Sequence, residues 1–346
     1  MRTFEGYKNG VNLGGWISQF KVYDEKHFAE FIVEDDIKNI SEFGFDHVRV
    51  PVDYMVLEDE EGNLKESGFQ YLENCRLWCK KYNLKMLIDL HEAYGYTFDP
   101  MKKTDKRKFF LDSDLQARFF KLWTEILNRF KDHTDMVAFE PLNEVVPEDD
   151  EIINAWNGIL TKYIALVRSI APDAYIVVGG VCYNSVKSVP WLDVPVDDHV
   201  VYNFHCYEPL MFTHQGAHWI DVMPRDFRID YPKTLKEYQE ASSILPKEMA
   251  GAIFEEGISE IGPKFFEDLF APAIKKATKD DVPMYCGEYG VIDLADKEAA
   301  LRWIRDIHIT FHKYGIGSAL WNYKSMDYGI SDAENVVIKN GLKDVL

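Results

Sequence analysis

The stretch Lys85-Met86-Leu87-Ile88-Asp89-Leu90-His91 decides the fold. It is short and nearly continuously apolar, which suits a strand buried on both faces of a parallel sheet. Seven further runs of this kind lie on either side of it: Val11-Asn12-Leu13-Gly14-Gly15-Trp16, His47–Pro51, Met136–Glu144, Tyr175–Gly180, Val200–Tyr207, Pro283–Glu288 and Ser318–Asn322. The segments between them read as helices. From Leu115 apolar residues recur at Phe119, Leu122, Trp123, Ile126, Leu127 and Phe130, with Asp112 or Ser113 as the cap. From Ile152 the stripe is Ile153, Trp156, Ile159, Leu160, Tyr163 and Val167, ended by Pro172. Trp123 and Trp156 therefore belong to the core. Strand–helix alternation without a hairpin signal predicts an α/β protein, a (β/α)8 TIM barrel. A doubly wound sheet would need a Gly-rich phosphate loop after an early strand, and Gly14-Gly15 lacks that spacing.

A closed barrel can hold 346 residues in one domain, so residues 1–346 are read as a single unit. The connection after the sixth run is too long for a loop and a helix. It carries an aromatic-rich insert with helical patches at about 208–261, before a helix containing Phe265, Phe266, Leu269, Ile274 and Ala277. Long inserts of this kind usually wall or cover a site.

Hydrophobic residues make up 47% of the chain, far too many for a disordered one. The net charge of −19 repels phosphate backbones and argues against nucleic acid as a partner, whereas a neutral polysaccharide meets no such penalty. The five cysteines, Cys75, Cys79, Cys182, Cys206 and Cys286, are odd in number and form no CxxC pair, so free thiols are expected. No uncharged run is long enough to span a bilayer, and Met1–Gly6 lacks the form of a signal peptide. The sequence as it stands predicts a cytoplasmic protein. A leader already removed, or another route of export, would make it extracellular.

Barrel enzymes build their sites where strands run into the following loops. At those ends stand Arg49, His91, Asn143-Glu144, His205 with Tyr207, Glu288, and Trp321. Any one of them alone has an ordinary structural reading, as a cap or a satisfied core residue. Their joint placement at one end of different strands carries the signal. Cleaving a glycosidic bond needs a proton for the leaving oxygen and a carboxylate for the oxocarbenium-like centre. Glu144 and Glu288, after the fourth and seventh runs, are candidates for these two roles if they face each other at ~5 Å.

Phe139-Glu140-Pro141-Leu142-Asn143-Glu144 and Tyr285-Cys286-Gly287-Glu288-Tyr289-Gly290 resemble the two signature segments of glycoside hydrolase family 5. Asn12–Trp16, Arg49-Val50-Pro51, Asp89-Leu90-His91, Tyr202–Tyr207 and Leu320–Lys324 extend the resemblance over nearly the whole chain. Within the family it is most similar to bacterial endo-β-1,4-glucanases with a helical subdomain after strand six, through Thr213–Trp219. The resemblance implies a retaining cellulase acting on β-glucan, with Glu144 as acid/base and Glu288 as nucleophile. It further implies that Arg49 and Tyr207 keep Glu288 ionised, and that Asn143 meets the sugar 2-hydroxyl. His205 would orient Glu144, His91 would hold a hydroxyl, and Trp321, before a cis peptide, would floor the subsite. No cofactor and no metal is implied.

The segment His91-Glu92-Ala93-Tyr94-Gly95 departs from relatives, which often carry a second His and a Pro there. Glu92 is expected to add a carboxylate at the cleft rim and Tyr94 bulk. Trp16, Trp219 and Tyr96 or Phe98 are further candidate sugar platforms, and Lys324 and Asp327 candidate hydroxyl ligands. β-Mannanase, mixed-linkage glucanase and glucomannanase activities are alternatives on the same site. An open groove would favour endo action, whereas an insert closing one end would favour exo action or transfer. Two rivals come from other classes. One is a metal hydrolase using His91, His205, His214 and His218. The other is a non-catalytic sugar-binding protein, against which both carboxylates argue.

Overall fold

The computed structural model describes residues 1–346, the side chains at 247 and 248 excepted. Its eight strands are β1 (Asn9–Asn12), β2 (His47–Asp53), β3 (Lys85–Glu92), β4 (Val137–Glu140), β5 (Ile176–Gly179), β6 (Val200–Cys206), β7 (Met284–Tyr289) and β8 (Gly317–Leu320). Each pairs in parallel with its neighbour in sequence, and β1 with β8, which closes the barrel. Strand burial is nearly complete, as the apolar runs require.

The outer ring consists of α1 (Glu34–Phe43), α2 (Glu66–Lys81), α3 (Ser113–Phe130), α4 (Asp150–Ile170), α5 (Pro263–Asp280), α6 (Lys297–Tyr314) and α7 (Val336–Leu342). Asp112 caps α3 by accepting from Asp114 N and Leu115 N, and Asp149 caps α4 through Ile152 N. One expected helix is missing. Between β5 and β6 stands only a 3-10 segment, Val186–Trp191, containing Pro190. That proline has no N–H to donate to a helical ladder, and α5 packs against the segment instead.

Three tryptophans on outer helices fasten the upper ends of the barrel. Trp123 Nε1 donates to the Pro141 carbonyl at 3.0 Å, Trp156 Nε1 to Gly179 at 2.9 Å, and Trp303 Nε1 to Glu208 at 3.0 Å. The fourth strand is shorter than its apolar run. The ladder ends at Glu140, because Pro141 offers no donor, and the chain continues as a loop in which Asn143 N bonds the Leu90 carbonyl.

Side chains two apart on a strand share a face, so the barrel interior is layered. The lower layer is apolar. Leu87, Ala138, Val177, Val201, Tyr285 and Ala319 pack with Phe4 and Tyr7, whose hydroxyl closes on the Met86 and Met136 carbonyls. Two residues further along the same strands the interior turns polar: Asn12, Arg49, Asp89, Glu140 and Asn203 are all fully buried. This middle layer is the floor on which the site is built.

The insert after β6 consists of short helical pieces, among them Leu210–Thr213 and Leu235–Ala241. It is tied to α6 where Arg302 Nε donates to the Tyr231 carbonyl and the Tyr231 hydroxyl to Asp306. All five cysteines are free. Among the described residues no helix is long and apolar enough to cross a membrane.

Candidate active site

Arg49 stands at the centre of the middle layer. Its Nε and Nη2 grip Glu140 at 2.8 and 3.0 Å, and Nη1 donates to Glu288 Oε1 at 2.8 Å and Asn12 Oδ1 at 3.0 Å. Nη2 also reaches Asn143 Oδ1 at 2.9 Å and Asp89 at 3.0 Å. Asn203 donates its amide to Glu140, while Asn12 donates to the Gly287 and Ala319 carbonyls. One guanidinium therefore meets three buried carboxylates. Burial pushes both Asp89 and Glu140 up to about 7, although Arg49 draws them down. Burial works against the Arg49 cation too, but Asp89, Glu140 and Glu288 more than offset it and hold its pKa well above the ordinary value.

Two irregularities in the ladder set the residues above this layer. In β3 the register skips between Leu90 and Glu92, which leaves His91 unpaired. In β7 it skips Gly287, so His205 faces Glu288. Bulges of this kind re-aim side chains. The second one needs glycine, since a Cβ at 287 would lie 2.7 Å from Asn203 Oδ1, the atom that accepts from Gly287 N.

The two glutamates emerge on the same side of the layer. Donor atoms of Glu144, His205 and Glu288 all lie within 4.8 Å of one another. His205 Nδ1 is 2.8 Å from Glu144 Oε1 and 3.8 Å from Glu288 Oε2, and the Tyr207 hydroxyl donates to Glu288 Oε2 at 2.9 Å. Burial, and then the neighbouring charge of Glu288, hold the Glu144 carboxyl well above the carboxylate range. Burial raises Glu288 as well, but Arg49 and the Tyr207 hydroxyl work against the rise. Of the two, the Glu144 carboxyl is pushed up the more strongly.

His91 Nδ1 meets Asp89 Oδ2 at 2.6 Å, and its ring lies parallel to Trp321 with centroids 5.9 Å apart. The Trp321–Asn322 peptide is cis. Asn143 Nδ2, His91 Nε2 and His205 Nε2 are buried without a partner among the described residues. Burial pushes His91 down to about 3 and also lowers His205, so both rings are neutral.

Several sequence expectations are corrected here. Trp16 is no platform. It is 1% exposed, and its Nε1 donates to the Phe28 carbonyl inside the core. Tyr96 is likewise buried. Lys324 donates to the Phe31 carbonyl at 2.8 Å and lies 3.6 Å from Asp36. Glu92 is not a rim carboxylate but a buried one, bridged by Lys102 and Thr97 beside Asp53. Tyr94 lies beneath Arg118. Trp219 is half-buried and packs edgewise on His214, which in turn packs on Tyr207; Phe98 packs edgewise on His91 at 4.9 Å. Asp327 is exposed near His218. The four histidines of the metal reading do not converge, because His205 is the only one of them in the three-residue cluster.

Sequence reasoning missed Asp89, Glu140, Asn203 and Asn12. The signal was available, since Asp89 and Asn203 precede His91 and His205 by two residues and must share their face.

The description "Cellulase (glycosyl hydrolase family 5)" matches residues 7–327. The chain is 38% identical to Endoglucanase C of Acetivibrio thermocellus over 98% of both chains. It is 40% identical to Cellodextrinase A of Ruminococcus flavefaciens, over 91% of this chain and 85% of that one. Among solved structures, Thermotoga maritima Cel5A in complex with cellobiose superposes with a TM-score of 0.75 over 97% of each chain at 21% identity, a likeness of fold. A family description spanning most of the chain and relatives of this identity along its full length lead to one conclusion: the chain belongs to glycosyl hydrolase family 5, the cellulase family.

Proposed function

We propose that the chain is a retaining endo-β-1,4-glucanase in which Glu288 is the nucleophile and Glu144 the acid/base. The observation that carries this reading is the placement of the two carboxylates, with oxygens within 4.8 Å, both raised by burial but only Glu288 gripped by Arg49 and the Tyr207 hydroxyl. Retaining enzymes hold their carboxyls about 5–5.5 Å apart and inverting ones about 6.5–9.5 Å, to admit a water.

In the first step Glu288 attacks the anomeric carbon while Glu144 protonates the departing glycosidic oxygen. In the second, Glu144 takes a proton from water, and that water displaces Glu288 from the sugar. Neutral His205 protonated on Nδ1 donates to Glu144 Oε1, which leaves the acid proton on Oε2, free for the substrate. Arg49 and Tyr207 each hold one oxygen of Glu288 and stabilise its charged form. The unpartnered Asn143 Nδ2 is suited to donate to the 2-hydroxyl, a bond that tightens in the transition state. His91 donates its Nδ1–H to Asp89 in a hydrogen bond, so the bare Nε2 accepts from a sugar hydroxyl. Trp321 supplies an apolar floor beside it. The names of the two curated relatives support a glucan, and the cellulase family description favours the β-1,4 linkage.

Proton NMR of the first product tests the mechanism: the β-anomer is expected, and initial release of the α-anomer refutes it. Sizing products from cello-, manno- and mixed-linkage oligosaccharides tests the substrate. Internal cleavage of cello-oligosaccharides is expected, and preference for the manno series refutes the assignment.

A further inference from the structure

Glu144 has a left-handed backbone, with φ at 29°. Residues with a Cβ adopt this region at a cost, and it persists where the surroundings over-determine it. The side-chain contact with His205 does not fix that backbone. Two loops do. Tyr96, after β3, is 4% exposed, and its ring is held by Phe110 at 5.2 Å and Phe109 at 5.9 Å. Its hydroxyl donates to the Glu144 carbonyl at 2.7 Å and accepts from the Val146 N–H at 2.9 Å. The carbonyl between them, that of Val145, accepts from the Tyr183 N–H at 3.0 Å. Tyr183 is itself the middle of three successive left-handed residues, Cys182, Tyr183 and Asn184. Three consecutive residues around the acid are thus each gripped from outside their own segment. A single hydroxyl supplies two of the grips, as donor and as acceptor.

We propose that Tyr96 is a positioning residue for the general acid. Its hydroxyl holds Glu144 in the left-handed conformation from which the carboxyl meets His205 with one oxygen and the glycosidic oxygen with the other. This rests on the reading of Glu144 as acid/base. Removing the hydroxyl leaves the Glu144 carbonyl and Val146 N–H without their partner and frees the segment to relax, which carries the carboxyl off line. Tyr96 makes no hydrogen bond to Arg49, Tyr207 or Glu288, so nucleophilic attack is untouched. In the first step, which kcat/KM reads, the defect is confined to proton donation and shows only when the leaving group needs a proton.

The test is a series of aryl β-cellobiosides, from the strongly acidic dinitrophenol leaving group to unsubstituted phenol, together with cello-oligosaccharides. Tyr96→Phe is expected to lose roughly 10- to 100-fold in kcat/KM on phenyl cellobioside and oligosaccharides. On the dinitrophenyl substrate it is expected to lose no more than about threefold. An equal loss across the series, or no loss on the poor leaving groups, overturns the proposal. Phe110→Leu loosens the same ring without removing the hydroxyl. It is expected to lower Tm with no leaving-group dependence, and reproducing that dependence also overturns the proposal. Glu144→Gln, run in parallel, separates the two readings. A steep leaving-group dependence there with a flat Tyr96→Phe rejects the role of Tyr96 alone. A flat Glu144→Gln rejects Glu144 as the acid.

Discussion

Tyr207→Phe removes one interaction and little else. The Tyr207 hydroxyl donates to Glu288 Oε2 at 2.9 Å, while Arg49 holds the other oxygen. The ring that remains keeps its edge contacts with His214 at 5.0 Å and Tyr328 at 6.0 Å, so the pocket does not collapse. A hydrogen bond to a charged group contributes about 1.5–3 kcal/mol, and each pKa unit corresponds to about 1.4 kcal/mol, so the Glu288 ionisation should move by roughly 1–2 units. The sign follows from which form the hydroxyl stabilises. It favours the carboxylate; its loss favours the acid, and the pKa rises. Glu288 is already raised by burial, which brings its titration toward the working range. The acid limb of kcat/KM on an aryl cellobioside, measured between about pH 4 and 9, should therefore shift to higher pH while the alkaline limb stays in place. An acid limb that does not move, with activity reduced evenly at every pH, would refute the idea that Tyr207 sets the charge of Glu288.

Two further perturbations probe the layer beneath. Arg49→Met strands Asp89, Glu140 and Glu288 without their shared cation. Breaking one buried pair costs about 3–5 kcal/mol, a large part of a typical stability of about 5–15 kcal/mol. Circular dichroism should therefore find the variant unfolded or nearly so at neutral pH. Its stranded carboxyls have raised folded-state pKa values, whose stabilising contribution is complete below their unfolded values and lost as pH rises, so structure should return under acid; wild-type stability at neutral pH refutes this. Gly287→Ala forces a methyl against Asn203, which holds both the Gly287 N–H and Glu140. Overpacking of about 1–3 kcal/mol should lower Tm by a few degrees and reduce kcat, whereas unchanged values would show that the bulge has room to spare.

The barrel was legible because its strands are apolar throughout and its helices carry clean stripes such as Phe119–Phe130. The polar residues at the strand ends were legible for the opposite reason, since each interrupts an apolar run. Legibility failed where local chemistry overrode pattern. Pro141 ends the fourth strand before the run does, and Pro190 stands in the 3-10 segment where a helix was expected. Aromatic residues were the poorest guide. Trp16 and Tyr96 look like platforms in sequence, yet each has a polar atom satisfied inside the protein, and composition cannot tell a stacking face from a hydrogen-bonding one. Asp89 and Asn203 were not legible from strand ends because they lie inside apolar runs, although period two places them directly beneath His91 and His205.

The Arg49 layer takes members from β1, β2, β3, β4, β6 and β7 and reaches the carbonyls of β8 through Asn12. Seven of the eight staves are thus bolted to one hub. Such a hub resists piecemeal evolution: a change at any single member leaves a neighbour's charge or amide stranded, so the set must be inherited, or redesigned, as a whole. The segment after His91 and the long excursion after β6 contribute no member to this ionic set, so substitutions there leave its balance untouched.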